Sequence, residues 1–182
     1  MPKVHLIEGP VGAGKSTFAK SLALQTSGVH IALDEWFAKL YSPDRPAGDF
    51  ISWYVERKDR LLKLIWNHAH SILLSGNDAI LELGLIQRHS RVAFCQKVVD
   101  DGVELLVHVL DAPRDVRRER VQRRNTEKGS TFSMVVPDHV FEMASNMWEA
   151  PDDGECRDFA IVFVPAAQAS TANPAVNTDA AR

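Results

Sequence analysis

The chain has 182 residues, of which 45% are hydrophobic and 25% charged, and its net charge is −3. The composition is ordinary for a globular protein, and the length suits one domain with a sizeable core. A small negative charge gives no general attraction to nucleic acid or acidic membranes. No apolar run approaches the roughly eighteen residues of a membrane helix, so no membrane partner is expected.

The start of the chain and its cysteines suggest a compartment. Residues 1–3 lead directly into the first predicted strand, which leaves no room for a signal peptide. Cys95 and Cys156 have no metal-binding spacing. We therefore expect a cytoplasmic protein with reduced cysteines.

Strand-like apolar segments alternate with helix-like segments along the chain. This alternation predicts an α/β domain with a mainly parallel sheet. The predicted domain covers residues 1–165, and residues 166–182, rich in Ala, Ser, Thr, Asn and Pro, are expected to form a disordered tail. Strands are predicted at about 3–8, 29–33, 79–83, 105–110 and 159–164, and helices at about 15–26, directly after Asp34, and at 50–75, 88–101, 114–125 and 138–148.

The most specific motif lies between the first strand and the first helix. Residues 9–16 read GPVGAGKS and match the phosphate-binding pattern G-x-x-x-x-G-K-[ST]. In this motif the backbone N–H groups surround the phosphates of a nucleotide, the lysine reaches the β- and γ-phosphates, and the hydroxyl ligates Mg²⁺. A chance glycine-rich turn is the alternative, but the flanking strand and helix favour nucleotide binding. The predicted nucleotide-binding residues are Gly9, Pro10, Val11, Gly12, Ala13, Gly14, Lys15, Ser16 and Thr17, with Ser16 also a metal ligand.

Two acidic residues follow neighbouring strand-like segments. In open α/β sheets the chemistry lies beyond the carboxyl ends of the strands. Asp34 is therefore a candidate to accept a proton from an attacking hydroxyl or to bind Mg²⁺ through water, although it could instead cap the next helix. Glu82 comes at the end of an apolar strand-like segment, a position similar to that of the Walker B acid, and is predicted to contribute to the metal site.

A strongly basic helix is the second clear signal, with seven cations within residues 114–128. Arg120 and Arg124 are four residues apart and share a helical face. Guanidinium groups stabilise the charge that develops on a transferred phosphoryl group. This pair is therefore a candidate to belong to a closing lid formed by the basic helix and the segment that follows it, residues 126–137. The alternative is a solvated charge run, and this is what we expect for the helix's other arginines.

Other candidates are less specific. Arg88 and Arg91 either bind an anionic part of a substrate or are exposed on a helix. Phe37, Trp53 and Tyr54 are candidates to line a substrate pocket, although such residues more often belong to a core.

The chain resembles the small stand-alone P-loop kinases over most of residues 3–164. The resemblance rests on GPVGAGKST, LDEWF, ILELGL and DAPRDVRRERVQRRN. The group includes relatives of polynucleotide kinase, gluconate kinase, chloramphenicol phosphotransferase and zeta toxin, many of them labelled AAA family ATPase. It implies a five-stranded parallel sheet of order 2-3-1-4-5 with helices on both faces. It also implies MgATP as the donor, Asp34 as the acceptor-side acid, and Arg120 and Arg124 as lid residues.

The resulting hypothesis is a kinase that transfers the γ-phosphate of MgATP to a hydroxyl of a small molecule. A polynucleotide-end kinase is one alternative, favoured by the basic helix and opposed by the net charge. A nucleotide-binding regulator or slow ATPase is another. The sequence has no second acid two residues after Asp34, and residues 129–137 are only loosely similar to the lid of gluconate kinase, so the acceptor is left open.

Overall fold

A parallel sheet forms the centre of the fold. The computed structural model describes residues 1–129, 132 and 134–165. The strands pair in the order β2-β3-β1-β4-β5, and every pair is parallel, which confirms the predicted order. The strands are β1 (Val4–Glu8), β2 (Val29–Ala32), β3 (Ala79–Glu82), β4 (Leu105–Leu110) and β5 (Ile161–Val164).

The helices lie close to their predicted positions, with two additions among the described residues, α7 and a short 3₁₀ helix, Ser42–Asp44. The short helix α7 was not predicted, although Asp152 and Glu155 form a capping box at its start. Asp34 does not cap α2: the N-cap is Ala32, without a side-chain cap, and Asp34 lies within the first turn. The helices are α1 (Lys15–Thr26), α2 (Leu33–Leu40), α3 (Phe50–Leu74), α4 (Arg88–Asp100), α5 (Arg114–Glu127), α6 (Asp138–Met147) and α7 (Asp153–Asp158).

Apolar side chains cover both faces of the sheet. All five residues of β1 are buried, which is expected of a central strand in a parallel sheet. Leu6 packs in a cluster with residues of α3 and α4, such as Leu61 and Val98, whereas Ile7 packs in a second cluster with Ala19 of α1. The predicted arrangement, with helices on both faces, is therefore confirmed.

One side chain ties the segment after α5 back onto that helix. The amide of Asn125 donates from Nδ2 to the carbonyl of Val136 at 2.8 Å and accepts from the Val136 N–H at 3.0 Å. Residues 130, 131 and 133 of the predicted lid segment lie outside the described residues, as does the predicted tail, 166–182. In the described part of the chain, no helix is long and apolar enough to cross a membrane.

Candidate functional site

The loop between β1 and α1 has the backbone that its glycines predict. Gly9, Gly12 and Gly14 have φ values of 146°, 81° and 99°. A Cβ atom would lie 2.1 Å from the carbonyl oxygen of Leu110 at position 9, and 2.6 Å from that of Arg117 at position 12. The loop is therefore packed against β4 and α5 so closely that only glycine fits at these two positions.

The ammonium group of Lys15 lies over this loop. Its Nζ donates to the carbonyl oxygens of Gly9, at 2.8 Å, and Pro10, at 3.0 Å. Lys15 is also the first residue of α1, so the ammonium lies beside the positive end of that helix dipole. The arrangement concentrates positive charge and backbone donors at one point, as anion binding requires.

The Ser16 hydroxyl connects this loop to Glu82, on the other side of the site. Ser16 Oγ donates to Glu82 Oε1 at 3.0 Å, and Glu82 Oε2 lies 3.4 Å from His30 Nε2. Burial alone would raise the pKa of Glu82, but interactions with His30, Lys15 and Ser16 hold this pKa below its ordinary value. The carboxyl group therefore lies ionised beside the Ser16 hydroxyl.

The oxygens of Ser16 and Glu82 suit Mg²⁺, which needs few protein ligands, better than a metal ion whose ligands all come from the protein. Within the described ranges, no group of three or more His, Cys, Asp and Glu side chains could hold a metal ion. Mg²⁺ is usually bound by one or two protein oxygens, with substrate phosphates and water as its other ligands. Ser16 and Glu82 provide such a pair. No sequence pattern indicated His30, because its contact with Glu82 depends on β2 lying beside β3.

Asp34 and Arg124 influence each other's charge across the site. Asp34 is exposed at the start of α2. The surrounding protein still limits the hydration of its carboxylate, and together with the charge of Glu82 this raises the pKa of Asp34, against the effect of Lys15, Lys58 and Arg124. Burial lowers the pKa of Arg124, and the charges of Asp34 and Glu82 oppose that shift. The Arg124 Nε is buried without a hydrogen-bond partner among the described residues.

The other predicted lid residue has a weaker contact with the loop. Arg120 Nη1 lies 3.5 Å from the carbonyl oxygen of Ala13, at the limit of a hydrogen bond. Both predicted lid arginines therefore lie on the side of α5 that faces the phosphate-binding loop, and Arg124 lies near Asp34 and Glu82.

The expectation that the helix's other arginines are solvated is wrong for Arg117. This residue is only 7% exposed. Its Nη1 donates to the carbonyl of Val11 and to Ser145 Oγ, both at 3.0 Å, and its Nε donates to the carbonyl of Ala112 at 3.0 Å. Arg117 thus joins α5 to the loop and to α6.

Arg114 and Arg118 also have partners on α6. Arg114 Nη2 and Arg118 Nη2 both donate to the carboxylate of Glu142, and Arg114 Nη2 donates to Asn146 Oδ1 at 2.8 Å. Sequence spacing within α5 could not reveal these partners, because they lie 24 to 32 residues further along the chain.

Arg91 matches neither of the alternatives considered for it. It is 0% exposed, and it pairs with Glu155 through Nε–Oε1 at 2.7 Å and Nη2–Oε2 at 2.9 Å. Arg88 is half exposed, and its Nε lies 2.7 Å from Asp152 Oδ2. Both arginines therefore connect α4 to the start of α7.

The aromatic residues and one lysine lie on the α2–α3 side of the site. Phe37 contacts the rings of Trp53 and Tyr54, with ring centroids 5.6 and 4.9 Å apart. Burial and the charge of Asp34 raise the pKa of Tyr54 to about 12, so the phenol is neutral near that carboxylate. Lys58, which the sequence analysis missed, lies with its Nζ 3.5 Å from the carbonyl oxygen of Gly84.

Solved structures of three proteins share this fold. A sugar kinase from Janibacter sp. HTCC2649 has a TM-score of 0.62 and 17% identity over 93% of this chain and 90% of its own. A gluconokinase from Sinorhizobium meliloti 1021 has a TM-score of 0.54 and 19% identity, over 92% and 89%. Kti12 from Chaetomium thermophilum, solved with ADP-AlF3, has a TM-score of 0.66 and 15% identity, over 91% and 93%. At these identities the likeness shows the fold alone.

The sequence comparisons identify the family. No curated protein matches the chain. A family model described as an AAA domain matches residues 4–151, which is most of the chain. With the glycine loop, Lys15 and the five-stranded sheet already described, this match shows that the chain belongs to the AAA domain family and is a P-loop nucleotide-binding protein.

Proposed function

We propose that the protein is a kinase that transfers the γ-phosphate of MgATP to a hydroxyl of a small molecule. The observation that carries the proposal is the convergence of Lys15, Asp34, Glu82 and Arg124, whose charges act on one another although they lie on four different elements. Nucleotide binding alone requires the loop and its lysine. An additional acid with a raised pKa, opposite a half-buried arginine, is what transfer to a hydroxyl requires.

The donor binds at the loop in this proposal. The backbone of residues 9–17 surrounds the phosphates, and Lys15 exchanges its carbonyl contacts for the β- and γ-phosphate oxygens. Ser16 and, through a water molecule, Glu82 would hold Mg²⁺, which would supply positive charge to neutralise the phosphate oxygens.

The transfer step uses Asp34 and the lid arginines. Asp34 accepts the proton of the acceptor hydroxyl as that oxygen forms a bond to the γ-phosphorus. The bond from this phosphorus to the β–γ bridging oxygen breaks, and ADP leaves with the electron pair. Arg124 and Arg120 stabilise the charge on the transferred group, and closure of the lid excludes water as a competing acceptor.

Two further facts support a small acceptor. The sugar kinase and the gluconokinase with this fold carry names that imply small hydroxylated acceptors. The net charge of −3 offers no general attraction to nucleic acid. Residues 1–165 constitute the catalytic domain in this proposal.

The test is a screen of hydroxylated metabolites and antibiotics with γ-labelled ATP, read by mass, followed by Asp34→Asn. We expect labelled product from wild type, and a rate at least about a hundredfold lower for Asp34→Asn with unchanged ATP affinity. Glu35→Gln is the matched control, because Glu35 is the next residue and pairs with Lys39 on the helix surface.

Two results would contradict the proposal. Equal loss of transfer and ATP affinity in Asp34→Asn would show that Asp34 serves the nucleotide rather than the acceptor. ATP hydrolysis that needs no acceptor and depends on a protein partner would instead favour a regulator, and salt-dependent binding of oligonucleotides would favour a polynucleotide-end kinase.

A further inference from the structure

Glu8 is a buried acid with no assigned role. It is the last residue of β1, directly before the phosphate-binding loop, and it is 0% exposed. Neither of its carboxyl oxygens accepts a hydrogen bond of normal geometry among the described residues, and the backbone N–H of Leu85 is the one donor that acts on the carboxyl group there. A buried carboxyl without partners destabilises a fold, so its presence beside a binding loop calls for a ligand.

The position of Glu8 places it on the acceptor side of the site. Side chains alternate along a strand, so Glu8 shares the face of Leu6, which packs towards α3 and α4. Burial raises the pKa of Glu8 to about 7, and the positive charges of Lys15, Arg91 and Lys58, together with the backbone N–H of Leu85, oppose that shift. The charge of Lys58 also acts on Asp34. The two acids and this lysine therefore border one region between the loop and α3.

A purely structural explanation would require a stronger partner for the carboxyl group than the backbone N–H of Leu85, which forms no hydrogen bond of normal geometry with it. Arg91 is the guanidinium whose charge acts on Glu8, but its Nε and Nη2 are bonded to Glu155 and its Nη1 lies 3.4 Å from the carbonyl oxygen of Leu85. Lys15 is bonded to its own loop, and Lys58 Nζ has a contact of 3.5 Å, at the limit of a hydrogen bond, with the carbonyl oxygen of Gly84. The described cations near Glu8 are thus engaged elsewhere.

We propose that Glu8 binds the acceptor and accepts a hydrogen bond from a second hydroxyl or an amino group while the reactive hydroxyl lies at Asp34. This inference rests on the proposed kinase function and narrows the acceptor to a neutral polyol or an amino polyol. An acidic acceptor would bring a like charge towards two carboxyl groups.

The experiment compares Glu8→Leu and Glu8→Gln with wild type, using glucose, sorbitol, glucosamine and the acidic glycerate as acceptors with MgATP. We expect phosphorylation of a neutral or amino polyol, and a KM for that acceptor raised about tenfold or more in Glu8→Leu. The KM for ATP should stay the same, and the Tm should be equal or higher, because leucine removes an unpaired buried carboxyl. Glu8→Gln, which keeps an acceptor oxygen, should lie in between.

Glu104→Leu is the matched control, because Glu104 pairs with Lys3 beside the opposite ends of the strands. An unchanged acceptor KM in Glu8→Leu, a lowered Tm, or phosphorylation of glycerate alone would overturn the role of Glu8 and leave the kinase function standing. No product from any acceptor with wild type that binds MgATP would defeat the kinase function, and the role of Glu8 with it.

Discussion

The two sides of helix α5 show how one run of arginines divides into different kinds of contact. On one side, Arg114, Arg117 and Arg118 have partners on α6, and Arg117 also donates to the carbonyl of Val11 in the phosphate-binding loop. On the other side, Arg120 has one contact with the phosphate-binding loop at 3.5 Å, and Arg124 interacts with Asp34 and Glu82 through its charge. A buried Nε without a partner does not distinguish the two sides, because Arg114 and Arg118 have one as well as Arg124 among the described residues. Arginines bonded to α6 hold the two helices together, whereas Arg124 lies near two acids and is the arginine on which the proposed transfer depends.

The largest expected effect is that of Arg124→Gln. If this side acts on the transferred phosphoryl group, ADP formation with MgATP and an acceptor should slow by about a thousandfold. The Tm should not fall, because the change removes a buried donor that has no partner. Activity is measured by a coupled ADP assay and stability by thermal unfolding.

Arg123→Gln is the matched control for this prediction, since Arg123 is the adjacent residue and is exposed. An equal loss of activity in Arg123→Gln would show that general positive charge, rather than the position of Arg124, determines the rate.

Arg117→Met should have the next largest effect, and on stability. The change leaves the carbonyls of Val11 and Ala112 without their buried donor, which should cost about 2–4 kcal/mol and lower the Tm by roughly 5–15 °C. ATP affinity should fall as well, because Val11 belongs to the phosphate-binding loop. Calorimetric titration with MgATP and thermal unfolding measure the two effects, and a wild-type Tm would contradict the division of the helix into two sides.

The smallest expected effect is that of Glu142→Gln, which weakens the ion pairs with Arg114 and Arg118. These side chains are partly exposed, so the fall in Tm should be smaller than for Arg117→Met and should shrink as salt is added. Glu127→Gln, an exposed acid at the end of α5, is the control. A fall in Tm that does not depend on salt would show that these ion pairs behave as buried ones, which would contradict the prediction.

The features that could be predicted are those set by residues close together in the sequence. The phosphate-binding loop was predictable because eight contiguous residues specify its backbone, and the sheet order followed from the resemblance to P-loop kinases. The placement of Asp34 and Glu82 near the loop followed from the rule for strand ends. The partners of Arg117 and Arg91 were not predictable, because they depend on where α6 and α7 pack. From the sequence, Glu8 could be predicted only to end a strand, because the hydrogen bonds available to its carboxyl group depend on how the folded chain packs around it.

The link between Asn125 and Val136 has a consequence for how this protein can diverge. Because one amide satisfies both main-chain groups of Val136, the ten residues between the two positions begin and end at nearly the same point in space. Insertions or deletions in that stretch need not displace the helices on either side. The length of this stretch can therefore be changed in variants while the Asn125–Val136 link and the scaffold are retained.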